Sequence, residues 1–162
     1  MALTIKQISD ALGISRSRVE QWISRGHFRT PDRPIIGKAR DWDIPDVMRL
    51  AIMQRLLEHN LSAETAGYLV QSHPHGFKDD VAFFVAWGGW HEMVGGGKAH
   101  MPGTLYDTLV KGSDLGSFLA NPDVEYAIVI NLDTLEQSVK SDLAKLEEFK
   151  GAVKRAGAEY DE

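Results

Sequence analysis

The chain has 162 residues, 43% of them hydrophobic, which suffices for one ordinary domain or two small ones with a buried core. It contains no cysteine, which excludes disulfide bonds, thiolate zinc sites and cysteine nucleophiles. No apolar run is long enough to span a membrane or to act as a signal peptide, so we expect a cytoplasmic protein without a membrane partner.

Charge is distributed unevenly along the chain, although the total is only −5. Residues 1–40 carry eight lysines and arginines against three acidic residues, a net charge of +5. Residues 61–162 carry eight basic and sixteen acidic residues, a net charge of −8. This division predicts a basic N-terminal part that contacts phosphates and an acidic remainder that does not. Chance clustering on a solvated surface is the alternative interpretation.

The first two predicted helices are separated by a tight turn. Thr4 begins the first helix as half of a capping box, and Gly13 ends it. Ser15 caps the second helix, which buries Val19 and Ile23, four residues apart. The remaining face of the second helix is polar and basic, as expected of a helix that binds a charged partner.

Residues 27–44 are unsuited to a helix, because two prolines and Gly37 interrupt them. Short extended segments at residues 35–36 and 42–44 predict a small hairpin, which we call the wing. Because it follows the second helix directly, the wing is expected to lie beside that helix on the basic part of the chain.

Two more helices are predicted before the chain changes character. Asp43 caps the third helix, which tolerates Pro45 in its first turn and ends near His59. Ser62 caps a short fourth helix. Residues 73–76, which contain a proline and a glycine, form the predicted linker to the second half of the chain.

The second half mixes strands with helices. Residues 81–87 form a strand-like apolar run, and residues 90–94, which glycines flank, are predicted to pair back onto it. Residues 104–110 and 114–120 are predicted to be short helices. Residues 124–132 form the clearest strand in the chain.

A long amphipathic helix is predicted to end the chain. Asp133 and Glu136 form a capping box for it. Its apolar residues recur at spacings of three and four, which predicts a dimerisation surface against a partner helix; packing within the same chain is the alternative. This apolar stripe consists of Leu135, Val139, Leu143, Leu146, Phe149 and Val153.

The second helix, preceded by a shorter helix and a glycine turn, has the geometry that fits the major groove of DNA. The groove admits one helix, whose early residues meet the base edges. Arginine can donate to guanine, glutamine can bond to adenine, and serine can donate to a phosphate or a base. The residues in these positions are Ser15, Arg16, Ser17, Arg18 and Gln21.

Two segments resemble the DNA-binding domain of MerR-type regulators: LTIKQISDALGISRSRVEQWISRGHF and GKARDWDIPDVMRLAIMQRLLEHNLSAETAGYLV. The resemblance covers residues 3–70, and it implies a winged helix-turn-helix fold. It also implies that Arg16, Arg18, Gln21 and Trp22 read or grip DNA, and that Arg40 and Trp42 clamp phosphates from the wing. The predicted interface is completed by Arg25, His27, Arg29 and Lys38.

The chain departs from the family pattern in two places. The family usually has an Arg-aromatic-aromatic run where this chain has Glu20, Gln21 and Trp22. Glu20 would be repelled by phosphate, which predicts a different sequence preference or docking angle. The family's sensors often continue into a long dimerisation helix, whereas here an α/β segment intervenes. The stretch VEQWISRGHF also resembles excisionases and the small subunits of phage terminases, which share the winged fold.

No pattern supports an enzyme, a metal site or a cofactor. Residues 95–98 depart from the phosphate-loop motif, because Glu92 stands at its first glycine and Ala99 at its serine or threonine. Aromatic residues 83–90 favour a core or an interface over a ligand pocket. The histidines of the second half match no metal-binding spacing: His73, His75, His91 and His100.

The sequence therefore predicts an α+β protein, with a winged helix-turn-helix domain over residues 1–73 and a small α/β domain with a long C-terminal helix over residues 77–162. We expect a bacterial or phage transcriptional regulator that binds double-stranded DNA as a homodimer on an inverted repeat. The second half would serve dimerisation and could accept a small-molecule or protein effector. The alternatives are a phage DNA-handling protein, either an excisionase-like DNA bender or a terminase small subunit, and a ligand- or protein-binding module that DNA localises.

Overall fold

Four helices, an antiparallel sheet and a long final helix follow one another along the chain, which confirms the predicted α+β class. The predicted wing lies almost wholly outside the described residues, as do residues 74–76 of the predicted linker. The computed structural model describes residues 3–29, 42–73, 77, 80–92, 95–100 and 103–158.

Helices α1 (Ile5–Leu12) and α2 (Arg16–Ser24) begin and end where their local signals predict. The backbone amide of Thr4 donates to Gln7 Oε1 at 2.9 Å, and the Thr4 hydroxyl accepts from the Gln7 amide, which completes the capping box. Gly13 ends α1 with φ of 64°, a left-handed conformation that glycine adopts without strain.

Helices α3 (Ile44–Glu58) and α4 (Ala63–Gln71) complete the N-terminal part. Asp43 accepts a hydrogen bond from the Asp46 amide at 2.8 Å and so caps α3, as predicted. Most residues of α3 are buried, because α4, α6 and β4 pack against this helix. Ser62 caps α4 in the same way, by accepting from the Thr65 amide at 3.0 Å.

The sheet is antiparallel and has its longest strand at the centre. Residues 83–87 of that strand pair with two other strands, one on each side. Residues 90–92 pair with a short fourth strand. The strands are β1 (Phe83–Glu92), β2 (Lys98–His100), β3 (Tyr106–Val110) and β4 (Val124–Asn131).

Two predictions for the segment between residues 90 and 110 are wrong. Residues 104–110 are predicted to be helical, but β3 lies there and pairs with β1 from Val110 opposite Phe83 to Tyr106 opposite Trp87. This pairing is non-local, so local composition did not reveal it. Residues 90–92 continue β1 instead of folding back, and β2 is the strand that returns.

Helix α5 (Leu115–Leu119) and strand β4 lie where they are predicted. Helix α6 (Leu132–Ala158) follows β4 directly and extends for about 40 Å at 1.5 Å per residue. Asn131 accepts a hydrogen bond from the Thr134 amide at 2.9 Å. The predicted cap at Asp133 is therefore wrong, and Asp133 lies inside the first turn.

One hydrophobic core joins both halves of the chain. Helix α6 packs against α1 and α3, and also contacts β1 and β4. Leu135, Val139 and Leu143 of the apolar stripe are buried in this shared core. Beyond them, Gln7 of α1 donates to Glu147 of α6 at 2.8 Å. The predicted domain boundary lies between α4 and β1, and the parts on either side of it share this core.

Candidate nucleic-acid interface

Hydrogen bonds of Ile14 and Ser15 stabilise the turn between α1 and α2. The buried Ile14 donates its backbone amide to Ser9 at 3.0 Å, which anchors the chain after Gly13. Ser15 then accepts from the Arg18 amide at 3.3 Å and so fixes the first turn of α2. These contacts set the angle at which α2 leaves α1.

Helix α2 has a narrow buried face and a wide exposed one. Val19 and Trp22 are buried, and Ile23 is half-buried beside them. Because successive residues of an α-helix are about 100° apart, Ser17 and Gln21 lie opposite this face, at the centre of the exposed surface. Both are exposed, and neither contributes to the core.

Two edges of different charge flank this centre. Arg16 and Glu20 lie on one edge, one turn apart, and we call it the Arg16 edge. Arg18 and Arg25 lie two turns apart on the opposite edge, the Arg18 edge. Arg16 Nε donates to Glu20 Oε1 at 2.8 Å, with the two side chains 65% and 50% exposed. The Arg16 edge therefore carries a neutral ion pair, and the Arg18 edge carries two cations.

The turn after α2 is clamped by α4. His27 and Phe28 both donate their amides to the Trp22 carbonyl, at 2.8 and 3.1 Å. Gln71 of α4 donates to the His27 carbonyl at 3.1 Å. Gly67 packs so close that a Cβ added there would lie 1.8 Å from the His27 carbonyl oxygen. Helix α4 thus fixes the C-terminal end of α2.

The base of the wing is built from buried aromatic residues. Leu3 and Trp42 exchange two backbone hydrogen bonds, of 3.0 and 3.2 Å, in an isolated antiparallel bridge. The Trp42 ring stacks on Phe28, with 6.1 Å between ring centroids. These contacts join the start of the chain to both ends of the predicted wing.

A buried arginine supports the same region. The Arg49 guanidinium is buried, forms an ion pair with Asp46 and lies 5.2 Å from the centre of the Phe28 ring. Its Nη1 donates to the Arg29 carbonyl at 3.1 Å, and so holds the segment that leads from α2 into the wing. Burial raises the pKa of the Asp46 carboxyl above its ordinary value of 3.8, and the hydrogen bond from Arg49 opposes this rise.

This arrangement combines a helix with an exposed polar face, a glycine turn before it and a supported wing base after it. A family model described as MerR HTH family regulatory protein matches residues 3–72. Residues 3–72 are a MerR-type helix-turn-helix domain. Its family is one of DNA-binding regulators. Helix α2 is the second helix of the motif, the position that is named the recognition helix in helix-turn-helix domains, and we use that name for α2. No match to a curated protein was found.

The structure places six of the twelve predicted interface residues of the MerR-type domain on the exposed surface of α2 and its caps. His27 is half-buried, and its backbone is held by α4. Arg29 is exposed, with its carbonyl bonded to Arg49. Lys38 and Arg40 lie outside the described residues. The predicted interface residues that are exposed on α2 and at its two caps are Ser15, Arg16, Ser17, Arg18, Gln21 and Arg25.

Both tryptophans predicted to contact DNA are buried. Trp22 is 5% exposed and Trp42 is 2% exposed, so neither indole offers more than a small edge to a ligand. We therefore assign Trp22 to the packing beneath the recognition helix and Trp42 to the wing base. The burial of Trp22 could be predicted from the sequence, because Trp22 lies three residues after Val19 and therefore on the apolar face of α2.

Four contributors to this region of the MerR-type domain were missed from the sequence. Ser24 continues the exposed centre of α2, three residues after Gln21 and seven after Ser17, and helical spacing alone would have found it. Gly67 inside a helix was a detectable signal of close packing. Arg49 and Gln71 act through backbone carbonyls far along the chain, which no local pattern indicates.

The apolar stripe of α6, predicted as a dimerisation surface, divides into two parts. Leu135, Val139 and Leu143 are covered by the same chain, so the predicted interface is corrected to exclude them. Leu146 is half-buried, and Phe149 is 69% exposed. The side chain of Val153 lies outside the part of the chain that the structure describes.

A cavity of about 300 Å³ lies where the MerR-type domain meets α6. It is lined by Ile44 and Met48 of α3, by Leu132 of α6 and by Phe77, which lies between α4 and β1 in the chain. Among the described residues, no cluster of acidic or histidine side chains is arranged to hold a metal ion. None of the helices in the described ranges is long and apolar enough to cross a membrane.

Proposed function

We propose that this protein is a transcriptional regulator that binds a specific double-stranded DNA sequence as a homodimer on an inverted repeat. The observation that carries the proposal is the exposed face of the recognition helix. Its centre offers the hydroxyl of Ser17 and the amide of Gln21, and arginines lie at both of its edges. Since none of these side chains is needed for the core, all of them are available to DNA.

The surroundings of the recognition helix support this proposal. Gln71 and Gly67 hold the turn after the helix, so little conformational freedom is lost when the helix enters a groove. The net charge of +5 on residues 1–40 favours association with the phosphate backbone, although the whole chain is acidic. The acidic second half would be directed away from DNA.

Selection from a randomised duplex library, with affinity measured against salt, tests the proposal. A sequence-specific dimer should enrich an inverted repeat and lose affinity steeply as salt increases. Binding without an enriched sequence would favour the DNA-bending or DNA-packaging alternatives. No binding to DNA at all would contradict the proposal.

A double variant tests whether α2 is the helix that contacts DNA. Arg16→Ala with Arg18→Ala should abolish specific binding while the protein stays folded, because both side chains are exposed. Lys145→Ala is the matched control, since it removes an exposed cation from the acidic half. Unchanged operator affinity in the double variant would exclude α2 from the interface.

We propose that the homodimer forms through the outer part of α6, where Leu146 and Phe149 continue the apolar stripe beyond the core. An exposed phenylalanine on a long helix suits packing against the same helix of a second copy. Phe149→Asp should convert the dimer to a monomer in light scattering and weaken binding to the inverted repeat. A ring or filament in the wild type would instead favour terminase-like packaging or recombination.

A further proposal is that an effector of the second half binds in the cavity between α3 and α6. Its volume of about 300 Å³ lies at the small end of the range for ligand sites. The cavity borders Ile44, two residues after Trp42, so an occupant could shift the start of α3 and the Trp42 ring that stacks on Phe28. A compound that raises the Tm of the full chain, but not of Ile44→Trp, would support this site.

A further inference from the structure

The two edges of the recognition helix differ in a way that divides their tasks. The Arg16 edge contains an ion pair, since Arg16 Nε bonds to Glu20 Oε1 at 2.8 Å. The Arg18 edge contains two cations, Arg18 and Arg25, both exposed. A helix lying in the major groove has base edges in front of it and a phosphate strand on each side.

Glu20 makes the Arg16 edge a poor surface for phosphate. Its carboxylate is half exposed, so a phosphate placed beside Arg16 would also lie close to a like charge. Base edges carry no such charge, and the amino group of cytosine can donate to a carboxylate. The Arg16 edge therefore favours contact with bases.

The ion pair also orients the arginine. The bond to Glu20 occupies Nε and does not use Nη1 or Nη2, which carry the donors of the terminal fork. Guanine presents two acceptors, O6 and N7, at the spacing that this fork matches. The ion pair with Glu20 thus favours one orientation of Arg16 and lowers the rotamer freedom that binding would otherwise remove.

We infer that Glu20 is a specificity-determining residue: it holds Arg16 toward a guanine in the major groove, while Arg18 and Arg25 bind phosphates. This inference rests on the proposed function and assigns a separate role to each edge. Arg16 reads O6 and N7 of the guanine through its terminal nitrogens. Glu20 accepts from the amino group of a neighbouring cytosine or acts through Arg16 alone.

The two edges should respond differently to salt and to sequence. Arg18→Ala or Arg25→Ala should weaken binding to all sequences alike and lower the slope of log affinity against log salt by about 0.9 for each lost phosphate contact. Arg16→Ala should instead lower the preference for one base pair by roughly 5- to 150-fold and leave the slope nearly unchanged.

Glu20→Gln tests the inference directly, because it removes the charge and keeps the shape. Library selection with this variant should show about a tenfold loss of preference for the guanine that Arg16 reads. A loss of this size is expected when one base contact of moderate strength is removed. The same variant should bind unrelated DNA more tightly and with a steeper salt dependence, since Arg16 is freed to contact phosphate. Unchanged selection and unchanged salt dependence would overturn the inference.

A second variant distinguishes a loss of base recognition from a loss of folding. Arg16→Lys keeps the charge but lacks the planar fork, so it should lose the guanine preference while it retains the salt dependence. Wild-type Tm is expected for both variants, because both side chains are exposed. If the wild type selects no sequence, the proposed function fails together with the inference. If the wild type selects a specific sequence, and Glu20→Gln and Arg16→Lys both select the same bases as the wild type, the inference alone fails.

Discussion

At the scale of single residues, the recognition helix depends on side chains that do not face DNA. Gly67 allows α4 to touch the turn after α2, and Arg49 holds the carbonyl of Arg29 at the start of the wing. Both residues lie on helices other than α2. The position of the exposed side chains of α2 is thus set in part by residues of other helices that hold the segment after α2.

Gly67→Ala should destabilise the protein by about 1–3 kcal/mol, the usual cost of overpacking. The new methyl group would lie 1.8 Å from the His27 carbonyl oxygen, so α4 or the turn must move. DNA affinity should fall with stability, because the same turn ends the recognition helix. Urea unfolding and DNA titration measure the two effects.

Gly116→Ala is the matched control for Gly67→Ala. Gly116 also lies in a helix, and a Cβ added there meets nothing within 4 Å. It should leave stability unchanged or raise it by several tenths of a kcal/mol, since alanine restricts the unfolded chain. Equal effects of the two substitutions would contradict the proposed close contact at Gly67.

The ion pair of Asp46 with Arg49 should matter far more than its exposed counterpart. Asp46→Ala leaves the Arg49 charge buried without its carboxylate, at a cost of about 3–5 kcal/mol. Glu58→Ala breaks the pair with Arg55, which has the same spacing but is exposed, at a cost of at most about 1 kcal/mol. Similar losses of unfolding free energy in the two variants would refute the prediction.

The raised pKa of Asp46 fixes the sign of a pH effect. Because burial raises this pKa above its value in the unfolded chain, the folded state takes up the proton first as pH falls. The contribution of Asp46 to the unfolding free energy is therefore greatest below the ordinary value of 3.8 and falls as pH rises through the folded pKa. Wild type should gain stability relative to Asp46→Asn on acidification from pH 7, as measured by urea unfolding at each pH.

At the scale of elements, helix α6 changes from buried to exposed along its length. Its first half is packed against α1 and α3, the contact with α1 continues to Glu147, and Phe149 beyond it is exposed. The change from buried to exposed occurs near Leu146, although the apolar spacing continues unchanged through it. One sequence pattern thus covers both residues buried in the core and an exposed phenylalanine.

Leu143→Ala and Phe149→Ala should separate the two parts of α6. Leu143→Ala should cost about 2–5 kcal/mol of unfolding free energy, because it leaves a cavity in the core. Phe149→Ala should leave the stability of the monomer nearly unchanged, since the ring is 69% exposed. Denaturation at concentrations below the dimer dissociation constant is the appropriate measurement, and the reverse ranking would place Phe149 in the core.

At the scale of the whole molecule, the two halves of the chain share one hydrophobic core. The MerR-type domain contributes α1 and α3 to the core, and the second half contributes α6 and the face of β1 that carries Phe84. A cavity lies at the same junction. Packed side chains of the shared core thus connect the second half to Val19 and Trp22 beneath α2.

Deletion of residues 132–162 should lower the stability of what remains by more than any single substitution. The deletion exposes the apolar faces of α1 and α3 that α6 covers, including Ala11 and Ala51, which line a small pocket together with Leu135 and Val139 of α6. We expect a lower Tm, binding of a hydrophobic dye and weaker DNA affinity. A truncated chain that melts at the wild-type temperature would instead support two independent domains.

Local signals in the sequence determined the helices of the MerR-type domain and the exposed face of α2. Thr4, Gly13, Ser15, Asp43 and Ser62 act on neighbouring backbone groups, so their effects can be predicted from a few adjacent residues. The spacing of Val19 from the exposed residues fixed which face of α2 remains outside. The same local reasoning located β4 and α5.

Only the tertiary structure decided which elements pair and which apolar faces meet. Strand β3 exists because Tyr106–Val110 lies beside β1, and a helix would have been equally compatible with its local sequence. The burial of Trp42, Arg49 and Leu143 depends on partners 20 or more residues away, so spacing alone could not separate core from DNA-binding or dimer surface. Hydrogen bonding within a turn is a local property, whereas the exclusion of water from a side chain depends on the whole fold.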